Sequence, residues 1–455
     1  MKYIKSPFYL YPCVLILLAA CNVPRRTTVQ NEQALPATFN GHADTMTAAD
    51  LPIQRFFPDS NLVRLIDIAV HNNPDMNIAL QRVMAAKANI RYAQAALTPQ
   101  LSIAASGGVE RYGDYTMNGV GNFDTNLSGN ISKDQHIPRP TTDVFLGLRS
   151  SWEIDVWGKL KQRKKAAVAH YFATEKGRQW VTTQLVATVA GLYYELLAQD
   201  DNMSIIGRNI QLQEKAYEMV QAQKEGGRAT ELAVQQFKGQ LLHTKSFEFE
   251  IKQNITRIET QLNTLLGRFP QPVTRSRSIL AQQMPQQLQA GVPSGLLARR
   301  SDIQQAEWEL NASRANVEAA RKAFLPSFTI TPYAGVNAFT VSLLFKPGSL
   351  VFGLLGGLTA PIINRRQLKA DYGVANAQQA GALYTYQKNI LQAVSEVYTE
   401  LQAVDNYRHL FELKEDEARA LANAVTNAND LYATGAANYL EVVTAQKGLL
   451  DAELE

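Results

Sequence analysis

The sequence predicts a mainly helical, internally duplicated chain with a small β portion of four strands, and three observations predict it. Prolines are absent from 141 to 269 and again after Pro361, which leaves two long stretches free of the residue that breaks a helix at about 3 kcal/mol. Apolar residues inside those stretches recur at steps of three and four, the period of a helix packed along one side. Outside them, three short segments alternate apolar with small or polar residues, the period of a strand with unlike faces, and a fourth is apolar and glycine-rich.

At the N-terminus, Lys2 and Lys5 precede an apolar run, Val14 to Leu18, that leads into small residues and a cysteine, the pattern of a secretory signal over residues 1–20. Its end, Leu18-Ala19-Ala20-Cys21, resembles the bacterial lipobox, which makes Cys21 the first mature residue and the site of lipidation. Cys13, the only other cysteine, leaves with the signal, so no intrachain disulfide forms. More than one acyl chain anchors stably, because each buried methylene contributes about 0.8 kcal/mol. Residues 21–60 are the lipidated N-terminal segment; by its resemblance to sorted bacterial lipoproteins, in which an Asp after the cysteine implies retention at the inner membrane, Asn22 is compatible with the outer one.

With 455 residues, 46% of them hydrophobic, and a net charge of +4, the chain is a folded protein with room for several cores. The one basic cluster, Lys159, Lys161, Arg163, Lys164 and Lys165, reads as a solvated helix start and not as a nucleic-acid patch.

In the helical territories, Val181, Leu185, Val189, Leu192 and Leu196 form one packing stripe, and Leu391, Val394, Tyr398 and Leu401 another. The first territory, Trp157 to Gly226, is about 70 residues and on the order of 100 Å long if continuous. Ile363 to Gly435 is nearly as long. Each ends in a glycine turn followed by another helix, Gly227 then Thr230 in the first, Gly435 then Asn438 in the second. The glycines suit helix C-termini and Thr230 and Asn438 suit N-caps.

These matches reveal the duplication. Gly227 and Leu232 fall on Gly435 and Leu440 at a shift of 208, while Ala96 to Pro99 fall on Ala323 to Pro326 at a shift of 227. The first copy, 61–269, therefore carries about 20 extra residues in the polar stretch around Gly119 to Pro140, which reads as a longer loop. A linker spans 270–300. The second copy, 301–455, ends about 20 residues short of repeat symmetry and reads as C-terminally truncated.

The strand segments are Leu101 to Ala105, Val144 to Trp152, Phe328 to Val336, and the glycine-rich Leu350 to Ala360. The last is too short for a spanning helix but ample for a membrane strand of about 9 to 11 residues. Four strands cannot close a membrane barrel, which needs about eight or more, and lipid tolerates no open edge. If these strands lie in a membrane, several chains share one barrel.

This arrangement resembles the TolC-like outer-membrane efflux protein family, in its lipoprotein (NodT/OprM-type) branch, over nearly all the mature chain from Asn61 onward. Its local marks are Ser151-Trp152-Glu153-Ile154-Asp155-Val156-Trp157-Gly158-Lys159-Leu160, like the family's strand-to-helix junction, and the two glycine turns. The resemblance implies a homotrimer whose twelve strands form an outer-membrane barrel, continued by a long antiparallel α-barrel across the periplasm. The 270–300 segment would join an equatorial belt. It implies passive export of drugs or other small molecules in a tripartite system, with an inner-membrane pump and a periplasmic adaptor that docks near Gly227 and Gly435. No metal, cofactor or nucleic acid is implied. The implied periplasmic gate places a constricting apolar side chain at Leu440, a latch tyrosine at Tyr432 and an acidic residue at Glu441. Thr444 stands where the family usually has a second acid, which implies a weaker cation site at the entrance.

Two other classes fit less well. The six histidines are scattered, with no HExxH pair, GxSxG elbow or phosphate loop, and Tyr193, Tyr194 and Glu195 read as packing and solvent-facing residues of an amphipathic helix, so an enzyme is not expected. A periplasmic coiled-coil structural lipoprotein would explain the helices but not the paired alternating segments. Within the channel class, lipoprotein members favour efflux over a type I protein secretion duct. Labelling cells with radioactive palmitate checks the anchor: the wild-type chain takes up label, and Cys21→Ala takes up none and keeps its signal.

Overall fold

The computed structural model describes residues 24, 52–282, 293–361 and 365–455. The signal, Cys21 and Ile363 lie outside the described residues. The longer helices are α1 (Ser60–Asn72), α2 (Pro74–Ala95), α3 (Met117–Leu127), α4 (Lys159–Glu225), α5 (Glu231–Leu265), α6 (Ser301–Lys322), α7 (Arg365–Thr434) and α8 (Tyr439–Leu454). The strands are β1 (Gln100–Glu110), β2 (Thr141–Ile154), β3 (Ser327–Ala338) and β4 (Leu350–Thr359). The chain divides into two units, one holding the described parts of 84–173 and 306–386 with all four strands, the other those of 32–83, 174–305 and 387–455.

The first unit is built on one antiparallel meander in the order β1-β2-β3-β4. Its register carries the duplication. Ile103 pairs with Leu148, and the residues 227 and 208 positions further on, Ile330 and Gly356, pair with each other. Because successive side chains alternate faces, register also sets what each face holds. One row runs Ile103, Leu148, Ala334, Phe352 across the sheet, and the adjacent row on the other face runs Ser102, Arg149, Tyr333, Gly353. The first face carries no charged side chain on any strand, and Ile103, Phe352 and Leu354 are at least 75% exposed on it. An uncharged apolar face on strands of 10 to 14 residues matches a hydrocarbon layer. No helix among the described residues is long and apolar enough to cross a membrane.

The stretch around Gly119 to Pro140 is more ordered than the loop its composition predicts. Residues 117–127 form α3, because Thr116 Oγ1 accepts from the N–H of Gly119 at 3.1 Å and caps the helix. The Asn126 side chain brackets the Ile137 backbone, accepting from its N–H and donating to its carbonyl, both at 2.9 Å. Polar side chains here replace the backbone ladder that the strands leave behind.

The strand-to-helix junction explains the residues of its motif. Asp155 accepts from the N–H groups of Leu160 at 2.9 Å and Lys161 at 2.8 Å, capping α4 two residues later than Trp157. Gly158, at φ 74°, turns the chain between cap and helix. Both tryptophans use their indole N–H as a pin, Trp152 on the Leu97 carbonyl at 3.1 Å and Trp157 on the Pro326 carbonyl at 2.7 Å.

In the second unit, the α4 stripe is buried as its spacing predicts: Leu185, Val189 and Leu196 pack with Leu62, Leu65 and Ile66 of α1 and Ile258 and Leu262 of α5. The corresponding α7 stripe is not. Leu391 is 54% and Tyr398 48% exposed, because no described helix covers them. Tyr193 is fully buried and donates to Asp59 at 2.6 Å, while its oxygen accepts from the Ser276 N–H at 3.1 Å. Arg275 ties the same segment down with a two-pronged bond to Asp200, at 2.5 and 2.9 Å, and a bond to Glu259 at 2.6 Å. Burial raises the Asp59 pKa, but hydrogen bonds from Tyr193, Ser276 and the Asn61 and Leu62 backbone outweigh it and leave the pKa below its ordinary 3.8.

Stability from Asp59 is therefore present above its unfolded pKa and is lost as pH falls through the lower folded value. Tyr193→Phe should cost about 2 kcal/mol at pH 7, read by chemical denaturation in detergent. The gap from wild type should narrow below pH 3.8.

Candidate functional site

The candidate gate lies where α4, α5, α7 and α8 meet. Helix α4 ends because Gly227 takes φ 72°, letting the N–H of Arg228 bond the Gln223 carbonyl at 2.7 Å. Helix α7 ends in the same way: Gly435 sits at φ 78° and the Ala436 N–H bonds the Leu431 carbonyl at 2.8 Å. Thr230 then caps α5 through the Ala233 N–H at 3.2 Å. Asn438 caps α8 through the N–H groups of Leu440 at 2.9 Å and Glu441 at 3.2 Å. Lys224 and Glu231 form an ion pair across the first turn. Hydrogen bonds from Lys224 and then Gln235 hold the Glu231 pKa below its ordinary value.

Behind the turns lies an apolar cluster of Val220, Ala233, Val234, Phe237 and Val442. Tyr432 packs against it, its ring 6.3 Å from that of Phe237, and burial pushes its hydroxyl pKa up. Of the four gate residues the sequence singles out, Tyr432 is thus half-buried, whereas Leu440 is 55% exposed and Glu441 and Thr444 are exposed. Leu440 and Thr444, four apart, share one face of α8, while Val442 turns inward. Glu441 also serves the helix end, since its carboxylate accepts from the Asn438 N–H at 3.1 Å and completes a capping box. Gly227 and Gly435 are both exposed at the turns.

Two features escape sequence reasoning. Phe237 and Val442, which hold the tip together, come from helices far apart in the chain. On the sheet, Phe145 and Tyr333 stack edge to face at 6.4 Å, with the Arg149 guanidinium 4.6 Å from the Phe145 ring centre. The alternation places Arg149 on the polar face, but only the register brings Tyr333 beside it. Among the described residues no cluster of His, Cys, Asp and Glu could hold a metal ion.

An uncharged sheet face, strands of membrane-spanning length and hairpins of very long helices define a membrane protein of the β-barrel kind. The family model for outer membrane efflux proteins matches residues 65–268 and 292–455, and the chain belongs to that family. It is 31% identical to the pyoverdine export outer membrane protein OpmQ of Pseudomonas putida, over 98% of this chain and 92% of that protein. It is 29% identical to the probable outer membrane lipoprotein SilC of Salmonella typhimurium, over 94% of this chain and 87% of that one. Among solved structures, a membrane protein from Pseudomonas aeruginosa superposes with a TM-score of 0.81 at 25% identity, covering 93% of this chain and 94% of that one. The channel-forming protein CusC superposes with a TM-score of 0.77 at 26% identity, covering 95% and 94%.

Proposed function

We propose that the chain is the outer-membrane channel subunit of a tripartite efflux system, a lipoprotein anchored through Cys21 that exports small molecules passively. The observation that carries this reading is the four-stranded sheet with one uncharged apolar face and two open edges, β1 and β4. Backbone groups on such edges find no partner in hydrocarbon, so neighbouring chains supply them. Three chains contribute twelve strands, an even number within the range of bacterial barrels. The apolar face meets lipid and the polar face lines the lumen. As the relatives named for cation efflux systems suggest, an inner-membrane pump supplies the energy and a periplasmic adaptor meets the turns at Gly227 and Gly435.

The gate reading follows from what the tip residues touch. Tyr432 braces α7 against Phe237, while exposed Leu440, Glu441 and Thr444 on α8 narrow the opening around the three-fold axis. Three Glu441 carboxylates concentrate negative charge there. Efflux is favoured over protein secretion by the relatives, whose names concern pyoverdine export and cation efflux.

Single-channel recording in planar bilayers tests this. The wild-type trimer should give small, rarely open pores, and Tyr432→Ala with Glu441→Gln should raise conductance roughly tenfold by releasing the brace and the charge ring. Gln at 441 still completes the capping box, so the change reports the gate and not a frayed helix. Trimers that never conduct, wild type or variant, would refute the channel.

A further inference from the structure

The polar face of the sheet carries four charged side chains: Glu110 on β1 and Asp143, Arg149 and Glu153 on β2. Three are carboxylates with partners. Glu110 accepts from the Tyr112 hydroxyl at 2.7 Å, Asp143 from the Asn337 amide at 2.7 Å, and Glu153 pairs with Lys159 at 2.6 Å. Arg149 is the single cation on this face. Among the described residues no carboxylate pairs with it, and its side chain is exposed.

Its guanidinium is nevertheless held. It lies over the Phe145 ring at 4.6 Å, and Phe145, only 5% exposed, stands edge-on to Tyr333. Both rings rest on glycines. A Cβ at Gly353 would sit 2.4 Å from the Tyr333 ring, and one at Gly147 would sit 2.9 Å from the tip of Phe145. The aromatic pair is thus seated flat on the sheet, and the cation–π contact fixes a charge that would otherwise sweep freely.

We propose that Arg149 forms an anion-binding level inside the barrel, a site for small phosphate- or carboxylate-bearing solutes on their way out. This rests on the reading of the polar face as the lumen wall of a shared barrel. Twelve strands about 4.8 Å apart, tilted by about 40°, enclose a lumen roughly 24 Å across between backbones. Inward-projecting guanidinium groups then lie within about one Debye length, ~8 Å, of the axis, so three of them act on everything that passes. Asp143 is six residues along the same strand, about 20 Å away and beyond that screening length. The lumen therefore presents an acidic ring at the Glu110 and Asp143 end and a separate basic ring at mid-strand. Guanidinium groups pair bidentately with phosphate and carboxylate oxygens, which makes the basic ring a binding level and not merely a field.

The test uses purified full-length trimer in planar bilayers under a KCl gradient, with inorganic phosphate as the blocking probe. Arg149→Gln should lower the chloride-to-potassium permeability ratio about threefold and raise the half-blocking phosphate concentration about tenfold, the scale of one lost charge-assisted contact. Arg149→Lys should keep the permeability ratio but weaken phosphate block, because a point charge lacks the fork. Asp143→Asn should move the ratio the opposite way. If Arg149→Gln forms trimers that conduct with wild-type ratio and wild-type block, the anion level is wrong while the channel stands. If wild-type trimers never conduct, the channel reading and this inference both fall.

Discussion

The sheet, on which the rest of the structure depends, is governed by the requirement that backbone N–H and C=O groups find partners in a medium that offers none. A four-stranded sheet leaves two edges open, and each orphaned group in hydrocarbon costs several kcal/mol. The sheet can enter a membrane only as part of a larger closed ring. That obligation explains why the chain's apolar surface is so exposed when the protomer is considered alone, with Ile103 and Phe352 both at 80%. These are not packing faults but surfaces whose solvent is lipid.

The same register that creates the lipid face creates the lumen face, because one row of side chains cannot change without the next. Ile103, Leu148, Ala334 and Phe352 face one way, and Ser102, Arg149, Tyr333 and Gly353 the other. A slip of one residue would turn Arg149 into lipid. The helix tips obey an analogous constraint at smaller scale. Orphaned carbonyls and N–H groups at the ends of α4, α5, α7 and α8 are satisfied by two positive-φ glycines and two side-chain caps, which keeps the turns short and places Tyr432 and α8 reproducibly.

Much of this was legible in the residues. Helix caps depend on a few neighbouring atoms, so Gly227, Thr230, Gly435 and Asn438 declared themselves; strand alternation placed three strands, and the length of the apolar, glycine-rich segment placed the fourth. The duplication was legible because the glycine turns match at an offset of 208 and the proline motifs at 227, and the same offsets relate the pairing of β1 with β2 to that of β3 with β4. Helix α3 was not, since Gly119, Gly121 and Asn122 disguise a helix held by Thr116 and Asn126. The α7 stripe of Leu391 and Tyr398 showed the right period, but period reports that a face seeks a partner and not which chain provides it. The Phe145, Arg149 and Tyr333 cluster was hidden because its members come from strands almost 190 residues apart. The capping bond from Glu441 back to Asn438 was also invisible beside the reading of Glu441 as a gate charge.

The central claim is that β4 of one chain completes the sheet with β1 of the next. Repeat symmetry specifies the register: Arg149 pairs with Tyr333 within the chain, and moving each by its repeat offset places Gly357 opposite Ser106 of the neighbour. Both positions are on the polar face, with nothing within 4 Å of a Cβ at Gly357. The most direct test is Ser106→Cys with Gly357→Cys in the native membrane, oxidised and run without reductant. A barrel shared in this register predicts covalent dimers and trimers that collapse to monomer on reduction and are absent when either cysteine is omitted. Monomer alone under the same oxidation, in a protein otherwise assembled in the outer membrane, would contradict it.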